Sequence, residues 1–180
     1  MQRLANPIAD TGLDSGSPTS LDSRIRCPCG FLGDPIRECR CTPQQIARYR
    51  NRLSGPLRDR LDLTVEVHGL PPDLLTAPAN GESSAEVRAR VIAARERQWD
   101  RYGGDGIRTN TELSPALMAR HCATDRAGVR LLEAAVRRMR LSARGYDRVR
   151  KVARTIADLT GAESINSDHI AEALQYRLVE

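Results

Sequence analysis

The chain has 180 residues, 28 Lys and Arg against 23 Asp and Glu, a net charge of +5 and 3% aromatic residues. No apolar run approaches the roughly 18 residues that a transmembrane helix needs, and Arg3 is followed by no apolar signal-peptide core, so we expect a cytoplasmic chain with reduced thiols and no membrane partner. Since Lys151 is the only lysine, the positive charge is nearly all arginine, and the excess by itself does not indicate a nucleic-acid partner.

Residues 1–26 show no hydrophobic periodicity. The stretch 10–20 is rich in Gly, Ser, Pro and Asp. Such a composition cannot bury enough apolar surface to offset the entropy that is lost on ordering. We therefore predict that residues 1–26 form a disordered tail.

Two Cys-x-Cys pairs come next, Cys27 with Cys29 and Cys39 with Cys41, on either side of a turn-rich loop. Four thiolates could close a tetrahedral zinc site. The commonest ligand spacing is Cys-x2–4-Cys, so the alternative of buried cysteines in a compact loop stays open. Cys122 lies in a helical pattern and is predicted to be a small core residue.

Thr42-Pro43 predicts a helix start, because Thr accepts hydrogen bonds from the first turn and Pro lacks a donor that this turn leaves unpaired. A turn at 54–56 ends the helix. Apolar and polar residues then alternate over 61–68, which predicts a strand with one buried face. Arg60 stands at the strand entry, where a planar, always charged guanidinium suits a phosphate on a neighbouring molecule. A surface network within Arg58-Asp-Arg60 is the alternative.

The second half of the chain is predicted to be helical. Ser83 and Glu86 form a capping box for a long helix that runs to about Arg101. Four further helices are predicted from Leu113 onward, with N-caps at Ser114, Asp125, Ser142 and Ser167. Their predicted buried positions are Val129, Leu132, Val136 and Met139, then Val149, Val152, Ile156 and Leu159, then Ile170, Leu174 and Leu178. Amphipathic helices with short connections indicate a small bundle.

One side of this bundle is rich in basic residues. They are Arg126, Arg130, Arg137, Arg138, Arg140, Arg144, Arg148, Arg150, Lys151 and Arg154. A solvated face in an arginine-rich protein is the alternative to a binding surface. Arg144 stands at a helix start, where a phosphate would meet both the guanidinium and unpaired helix N–H groups.

The motifs of a complete nucleotide site are absent from the 180 residues. There is no G-x-x-x-x-G-K-[ST] and no apolar run that ends in paired acids, and neither G-x-S-x-G nor H-E-x-x-H occurs. Without the phosphate loop (Walker A) and the magnesium-binding acids (Walker B), we expect no ATP hydrolysis by this chain alone.

The motifs that are present resemble one family. Cys27-Pro-Cys-Gly30, the run from Cys39-Arg-Cys-Thr-Pro to Tyr49, and Leu53-Ser-Gly-Pro-Leu-Arg-Asp-Arg60 are similar to the magnesium-chelatase-like AAA+ ATPases of the bacterial competence (ComM-like) type. Leu141-Ser-Ala-Arg-Gly-Tyr146 and His169–Arg177 extend the resemblance over about residues 27–180. It implies a hexameric ATPase that uses ATP and Mg and acts on DNA in branch migration.

The resemblance also implies roles for individual residues. Arg60 matches the arginine finger that reaches the nucleotide of the neighbouring subunit. Arg144 matches the sensor arginine of the helical lid, which contacts the γ-phosphate in its own subunit. The four cysteines match the cysteine loop of the family. The family has Asn-Pro before Cys-Pro-Cys-Gly, whereas Ile25 and Arg26 stand here, so residues 1–26 look unrelated and the chain is expected to be the C-terminal part of such an ATPase, from a truncated or frame-shifted gene.

The expected fold is mainly α: a remnant of an AAA+ α/β core, with one strand plus a helix, followed by a C-terminal helical lid. The predicted divisions are a disordered tail over 1–26, the cysteine loop and end of the core over 27–68, a linker and long helix over 69–112, and the lid over 113–180. The partner is then a copy of the chain or an intact AAA+ paralogue. The alternatives are a stand-alone zinc- and DNA-binding helical module and a degenerate regulatory subunit that docks on a paralogue through Arg60.

Overall fold

The computed structural model describes residues 27–34, 36–51, 61–65 and 81–177. These residues form six helices: α1 (Pro43–Arg50), α2 (Ser84–Tyr102), α3 (Pro115–His121), α4 (Arg126–Met139), α5 (Ala143–Thr160) and α6 (Ser167–Gln175). A short 3-10 turn, Asn110–Glu112, precedes α3. The mainly helical fold is confirmed, and within the described ranges no helix is long and apolar enough to cross a membrane. The predicted tail over 1–26 and Arg60 lie outside the described residues.

Most helices begin at the residues that the sequence predicts. The caps Thr42, Ser83, Ser114, Asp125 and Ser142 each accept a backbone N–H of the first turn. The predicted cap Ser167 is wrong, because it is the first residue inside α6. Asn166 caps this helix instead, and its side-chain oxygen accepts the N–H groups of Asp168 and His169, both at 3.1 Å. Asn and Ser are equally good caps, so composition alone could not choose between neighbours.

α5 is the central helix of the bundle. It packs against α2, α3, α6 and the 3-10 turn, and α6 also packs against α4. The buried core residues are Tyr102, Leu113, Met118, Cys122, Leu132, Ala135, Val149, Ala153, Ile156, Ala157, Ile165, Ile170, Ala173 and Leu174. Cys122 is thus a core residue, as predicted. By contrast, α1 buries none of its residues.

The predicted buried face of α4 is partly wrong. Val129 and Val136 are 44% and 36% exposed, whereas Gly128, Leu132 and Ala135 are buried. A Cβ added to Gly128 would stand 2.2 Å from the Thr124 hydroxyl oxygen, so glycine permits the close approach at this point. Small residues carry little hydrophobic signal, and the sequence pattern therefore favoured the larger valines one position away.

The buried faces predicted for α5 and α6 are confirmed in part. Val149, Ile156, Ile170 and Leu174 are buried, as predicted. Val152 and Leu159 of α5 are only half-buried, since they line a cleft that is described below. Leu178 lies outside the described residues.

The strand predicted over 61–68 is not formed by residues 61–65, and residues 66–68 lie outside the described part. Leu63 and Val65 are 51% and 59% exposed, so the predicted apolar face is not covered. A strand is stable only when a neighbouring strand accepts its ladder of hydrogen bonds. Here the backbone N–H of Thr64 donates instead to the carbonyl oxygen of Tyr176 at 2.9 Å, beyond the end of α6.

Arg140 ends α4 in a left-handed conformation, with φ 48° and ψ 45°. This conformation costs a residue with a side chain about 1–2 kcal/mol, whereas glycine adopts it freely but loses more entropy on folding. We therefore expect Arg140→Gly to raise the free energy of unfolding by about 0.5 kcal/mol in urea titrations. The control Arg137→Gly, inside the last turn of the same helix, should lower it by about 0.8 kcal/mol. Equal losses in both variants would contradict this explanation.

Candidate functional site

The thiols of the cysteine loop come together in the fold. The Sγ atom of Cys27 lies 3.4 Å from that of Cys29 and 3.7 Å from that of Cys39, and the Cys29 and Cys39 sulfurs are 3.6 Å apart. With Cys41, all four sulfurs lie within 4.8 Å of one another. Zinc bonded to sulfur at about 2.3 Å in a tetrahedron places its ligand sulfurs about 3.8 Å apart. The spacing of the thiols therefore fits a single tetrahedral zinc ion.

Two tight turns bring the cysteine pairs together. In the first, the N–H of Gly30 donates to the carbonyl oxygen of Cys27 at 3.2 Å, and Gly30 has a φ of 81° that favours glycine. In the second, the Asp34 carboxylate accepts the N–H groups of Ile36 and Arg37 at 2.8 and 2.7 Å. Both turns are local, so a short sequence is enough to shape this loop.

The thiols differ in acidity. The backbone N–H of Phe31, together with the thiols of Cys27, Cys41 and Cys39, lowers the pKa of Cys29 to about 6 against the effect of burial. At Cys39 the N–H of Cys41 acts in the same direction, but burial and the neighbouring sulfurs prevail and raise its pKa to about 12. Cys29 is thus a stronger acid than Cys39 and would lose its proton first of these two.

The lid bundle carries a cleft of about 550 Å³. Segment 61–65, the 3-10 turn, α3, α5 and α6 enclose it. Its apolar lining includes Leu63, Leu113, Met118, Val152, Ile156 and Leu159. Its charged lining consists of Asp62, Arg144, Asp147, Arg148, Lys151 and Glu172. The cleft thus combines an apolar wall with charges of both signs.

Arg144 is the exposed cation of this cleft. It is the second residue of α5, and the cap Ser142 accepts the N–H of Gly145 at 3.0 Å. The N–H groups of Ala143 and Arg144, as at any helix start, have no acceptor within the helix. Within the described ranges no side chain or carbonyl pairs with the Arg144 guanidinium. In contrast, Lys151 donates to the Thr111 carbonyl oxygen at 2.7 Å. An anion at this helix start would meet an available guanidinium and free N–H groups.

The predicted basic side of the bundle is smaller than the sequence suggests. Arg154 is only 2% exposed. Arg150 donates to the carbonyl oxygens of Met118 and Cys122 at 3.0 and 3.3 Å, so it joins α5 to the end of α3. These cations serve the fold. Besides Arg144, the exposed arginines that remain on and after α4 are Arg126, Arg130, Arg137, Arg138 and Arg140.

Sequence reasoning missed a buried ion cluster around Asp158, whose side chain is fully buried. Arg101 at the end of α2 donates twice to this carboxylate, once at 3.1 Å. Arg154 donates to it at 3.2 Å, and Asn110 of the 3-10 turn at 2.9 Å. The Tyr102 hydroxyl in turn donates to the Asn110 side-chain oxygen at 2.6 Å. A single carboxylate thus joins α2, the 3-10 turn and α5.

The guanidinium of Arg154 also binds the loop that follows its own helix. Arg154 donates to the carbonyl oxygens of Ala162 and Glu163 at 2.7 and 2.8 Å. Burial lowers the pKa of Arg154, and the charge of Asp158 opposes that shift. The spacing of Arg154 and Asp158, four residues apart, was the one sequence signal of this pair.

Of the predicted site residues, the structure brings the four cysteines together and puts Arg144 on the cleft. It does not describe Arg60. Leu61, the next residue in the chain, is described, and segment 61–65 lines the same cleft as Arg144.

These features define a class of protein: a helical lid bundle whose central helix begins with an exposed arginine, preceded by a four-cysteine loop. Comparison with known protein families identifies the family to which this class belongs. The family described as "Magnesium chelatase, subunit ChlI C-terminal" matches residues 81–177, more than half of the chain, and "Magnesium chelatase, subunit ChlI" matches residues 21–74. The chain is therefore a ComM-like member of the magnesium chelatase ChlI family.

Individual relatives support this assignment. The uncharacterized protein YifB of Salmonella typhimurium is 44% identical over 142 residues, which are 78% of this chain and 27% of that protein. The competence protein ComM of Haemophilus influenzae is 45% identical over 139 residues, 77% of this chain and 26% of ComM. An uncharacterized protein of Mycobacterium tuberculosis is 42% identical over 151 residues, 84% of this chain and 29% of that protein. The chain thus spans somewhat more than a quarter of the length of these relatives.

Proposed function

We propose that the chain acts as the lid-bearing part of an oligomeric AAA+ ATPase of the ComM-like type, hexameric and engaged in ATP-driven DNA processing such as branch migration. The observation that carries this proposal is the exposed, available Arg144 at the start of α5, on the wall of the cleft. Membership of the magnesium chelatase ChlI family supports a role that depends on a nucleotide. The exposed arginines on and after α4 would supply contacts to DNA phosphates.

In this proposal two arginines serve two nucleotide sites. Arg144 would approach the γ-phosphate bound to its own subunit, and Arg60 that of the neighbouring subunit. A guanidinium can bind two phosphate oxygens at once, so it stabilises charge that moves onto the transferred group. Bound ATP would supply the phosphoanhydride bond, and Mg would supply positive charge that offsets the charge of its phosphates. Since no phosphate-loop motif occurs in the 180 residues, a copy of the chain cannot complete this site from these residues, and we propose that other sequence, in the same protein or an intact paralogue, provides it.

The role of Arg144 is tested by co-expressing the chain with the phosphate-loop half of a ComM-like ATPase. We expect no ATP turnover by the chain alone and measurable turnover by the pair. Arg144→Ala should lower the turnover of the pair by about 10²-fold, because one guanidinium on a developing phosphate charge is lost. Arg88→Ala, which removes an exposed arginine of α2, should leave turnover unchanged. Equal turnover in both variants would contradict the proposed role.

We further propose that Cys27, Cys29, Cys39 and Cys41 hold one zinc ion. The observation that favours zinc is the sulfur spacing of 3.4–3.7 Å among the first three of these thiols. A site with four thiolates has no position for water or substrate, so the ion would be structural rather than catalytic. It would replace the weak thiol hydrogen bonds by bonds to metal and fix the loop ahead of α1.

The zinc proposal predicts one zinc per chain by elemental analysis of protein purified without chelator. Cys39→Ser should remove at least most of this zinc, because a serine hydroxyl is a poor ligand compared with a thiolate. Cys122→Ser is the matched control, since that cysteine lies in the bundle core, and it should keep full occupancy. A wild-type chain that contains no zinc and takes up none when it is added would refute the site.

A further inference from the structure

The outer face of α4 carries much of the excess positive charge of the chain. Residues 126–140 contain five arginines and one glutamate, a net charge of +4, whereas the whole chain has a net charge of +5. All five of these arginines are exposed. The excess of positive charge is therefore gathered on one helix and the residue that follows it.

Three of these arginines form a row along the helix, which we call the arginine ridge: Arg126, Arg130 and Arg137. At about 3.6 residues per turn, the three lie within about 40° of one another around the helix axis. The buried residues Leu132 and Ala135 lie on the opposite side of α4. The ridge is therefore the part of α4 that is furthest from the bundle core.

The ridge lacks the contacts that hold Arg150 and Arg154 in the fold. Among the described residues, the side chains of Arg126 and Arg130 have neither an ion pair nor a hydrogen bond. Arg137 pairs with Glu133 at 3.8 Å, and its side chain is 75% exposed. Such an exposed pair contributes little to stability, so a stronger anion can replace it.

The chemistry of this face suits a phosphate backbone better than a protein surface. Protein interfaces are built around aromatic and other apolar side chains, with few charges at their centre. α4 has no aromatic residue, and the apolar side chains beside the ridge are Val129 and Val136, 44% and 36% exposed. The ridge extends over about 16 Å, a length over which one strand of duplex DNA presents about five phosphates. A regular polyanion therefore matches the row of charges.

The residue types on this face also indicate which form of DNA it fits. Proteins that bind single strands rely on aromatic side chains on which the bases stack, and α4 offers none. Residues 126–140 contain no Asn, Gln, Ser or Thr, which are side chains that read base edges. Contacts between arginine and phosphate carry no sequence information.

We propose that the arginine ridge of α4 binds the phosphate backbone of duplex DNA without regard to sequence. Glu133, which lies between Arg130 and Arg137, repels phosphate and limits the affinity. This inference rests on the proposed role in DNA processing, and it adds which surface of the lid meets DNA and which form of DNA it binds. Since no residue of α4 lines the cleft, DNA on the ridge and an anion at Arg144 occupy different places.

The proposal is tested by the fluorescence anisotropy of a short labelled duplex of mixed sequence that is titrated with the full chain. Three phosphate contacts give a slope of about −2.7 in log K against log salt, so the affinity should fall about 40-fold between about 50 and 200 mM salt. Arg130→Ala should weaken binding about fivefold at the lower salt and make the slope shallower by about 1. Arg88→Ala, which removes an exposed arginine of α2, should change neither quantity.

Replacement of Glu133 should change the affinity in the opposite direction. Glu133→Gln should tighten binding to the same duplex about threefold, because a negative charge is removed from the row. Glu96→Gln, which removes an exposed acid of α2, is the matched control and should leave the affinity unchanged. Circular dichroism of each variant checks that the helix content is retained.

Four outcomes would overturn the proposal. They are the absence of salt-dependent binding to the duplex, equal losses in Arg130→Ala and Arg88→Ala, tighter binding to a single strand of the same sequence than to the duplex, and binding that survives replacement of all three ridge arginines by alanine. The last outcome would assign the ridge to another partner, such as an acidic protein surface.

Measurement of ATP turnover with the phosphate-loop half of a ComM-like ATPase separates this inference from the proposed function. A chain that supports turnover but does not bind the duplex overturns this inference alone. A chain that binds the duplex through the ridge but supports no turnover confirms the surface and contradicts the proposed ATPase role.

Discussion

Asp158→Ala is expected to lower the free energy of unfolding by about 3–5 kcal/mol. The carboxylate is fully buried, and its removal leaves Arg101 and Arg154 without their common partner. Arg154 is 2% exposed and cannot reach water to recover its hydration. The Asn110 side chain would lose an acceptor as well. Urea titration followed by circular dichroism measures the change.

A matched variant separates the ion cluster from a general effect of losing an acid on α5. Asp147→Ala removes a carboxylate from the same helix at a half-exposed position and should change stability by about 0.5 kcal/mol or less. Asp158→Asn keeps the size and one of the two acceptor oxygens, so its loss should lie between those of the two alanine variants. A loss below about 1 kcal/mol in Asp158→Ala would show that the cluster does not hold α2 against α5.

Arg60→Ala is expected to abolish the ability of the chain to restore ATP turnover to a finger-deficient ComM-like ATPase, in which the arginine finger of that ATPase has been replaced by alanine. An arginine supplied in trans is worth about 10³–10⁵ in turnover, because it stabilises charge on the transferred phosphoryl group. Even with incomplete assembly, the restored rate should fall by about 10²-fold or more.

Arg58→Ala is the control for this prediction, because it removes an arginine two residues away in the sequence. It should keep at least half of the restored rate. Arg60→Lys should rescue little, since an ammonium group cannot bind two phosphate oxygens in the fork geometry of a guanidinium. Equal losses in Arg58→Ala and Arg60→Ala would contradict a specific role of Arg60.

Features with local causes could be predicted from the sequence. Five of six helix caps, the end of α5 at Gly161 and the capping box of Ser83 with Glu86 each depend on residues within one helical turn. The grouping of the four cysteines was visible for the same reason, since two tight turns within 15 residues bring them together.

Features with tertiary causes could not be predicted in the same way. The strand predicted over 61–68 is not formed at residues 61–65, because the alternation of apolar and polar residues specifies a buried face but supplies no neighbouring strand. Arg154 looked like part of a basic surface, and only the packed bundle reveals that it binds Asp158 and a carbonyl of the loop after α5. The small residues Gly128 and Ala135 define the contact face of α4, yet they contribute little to a hydrophobic pattern.

The same contrast between local and tertiary causes applies to the candidate sites. A helix start with an arginine could be read from Ser142 and Arg144, but the cleft beside it is assembled from four distant stretches of chain. Segment 61–65 contacts the lid through Arg148 and Arg177. Their partners, Asp62 and Leu61, lie 86 and 116 positions away in the chain, and no local pattern encodes such contacts.

The most direct measurement of the central claim is the steady-state ATP turnover of the wild-type chain mixed with the finger-deficient ComM-like ATPase, compared with each protein alone. The proposed function predicts that neither protein alone turns over ATP at an appreciable rate and that the mixture does, with a rate that saturates as the chain is added. A mixture no faster than the finger-deficient ATPase alone, at concentrations where the two proteins co-sediment, would contradict the claim that this chain completes a neighbouring nucleotide site.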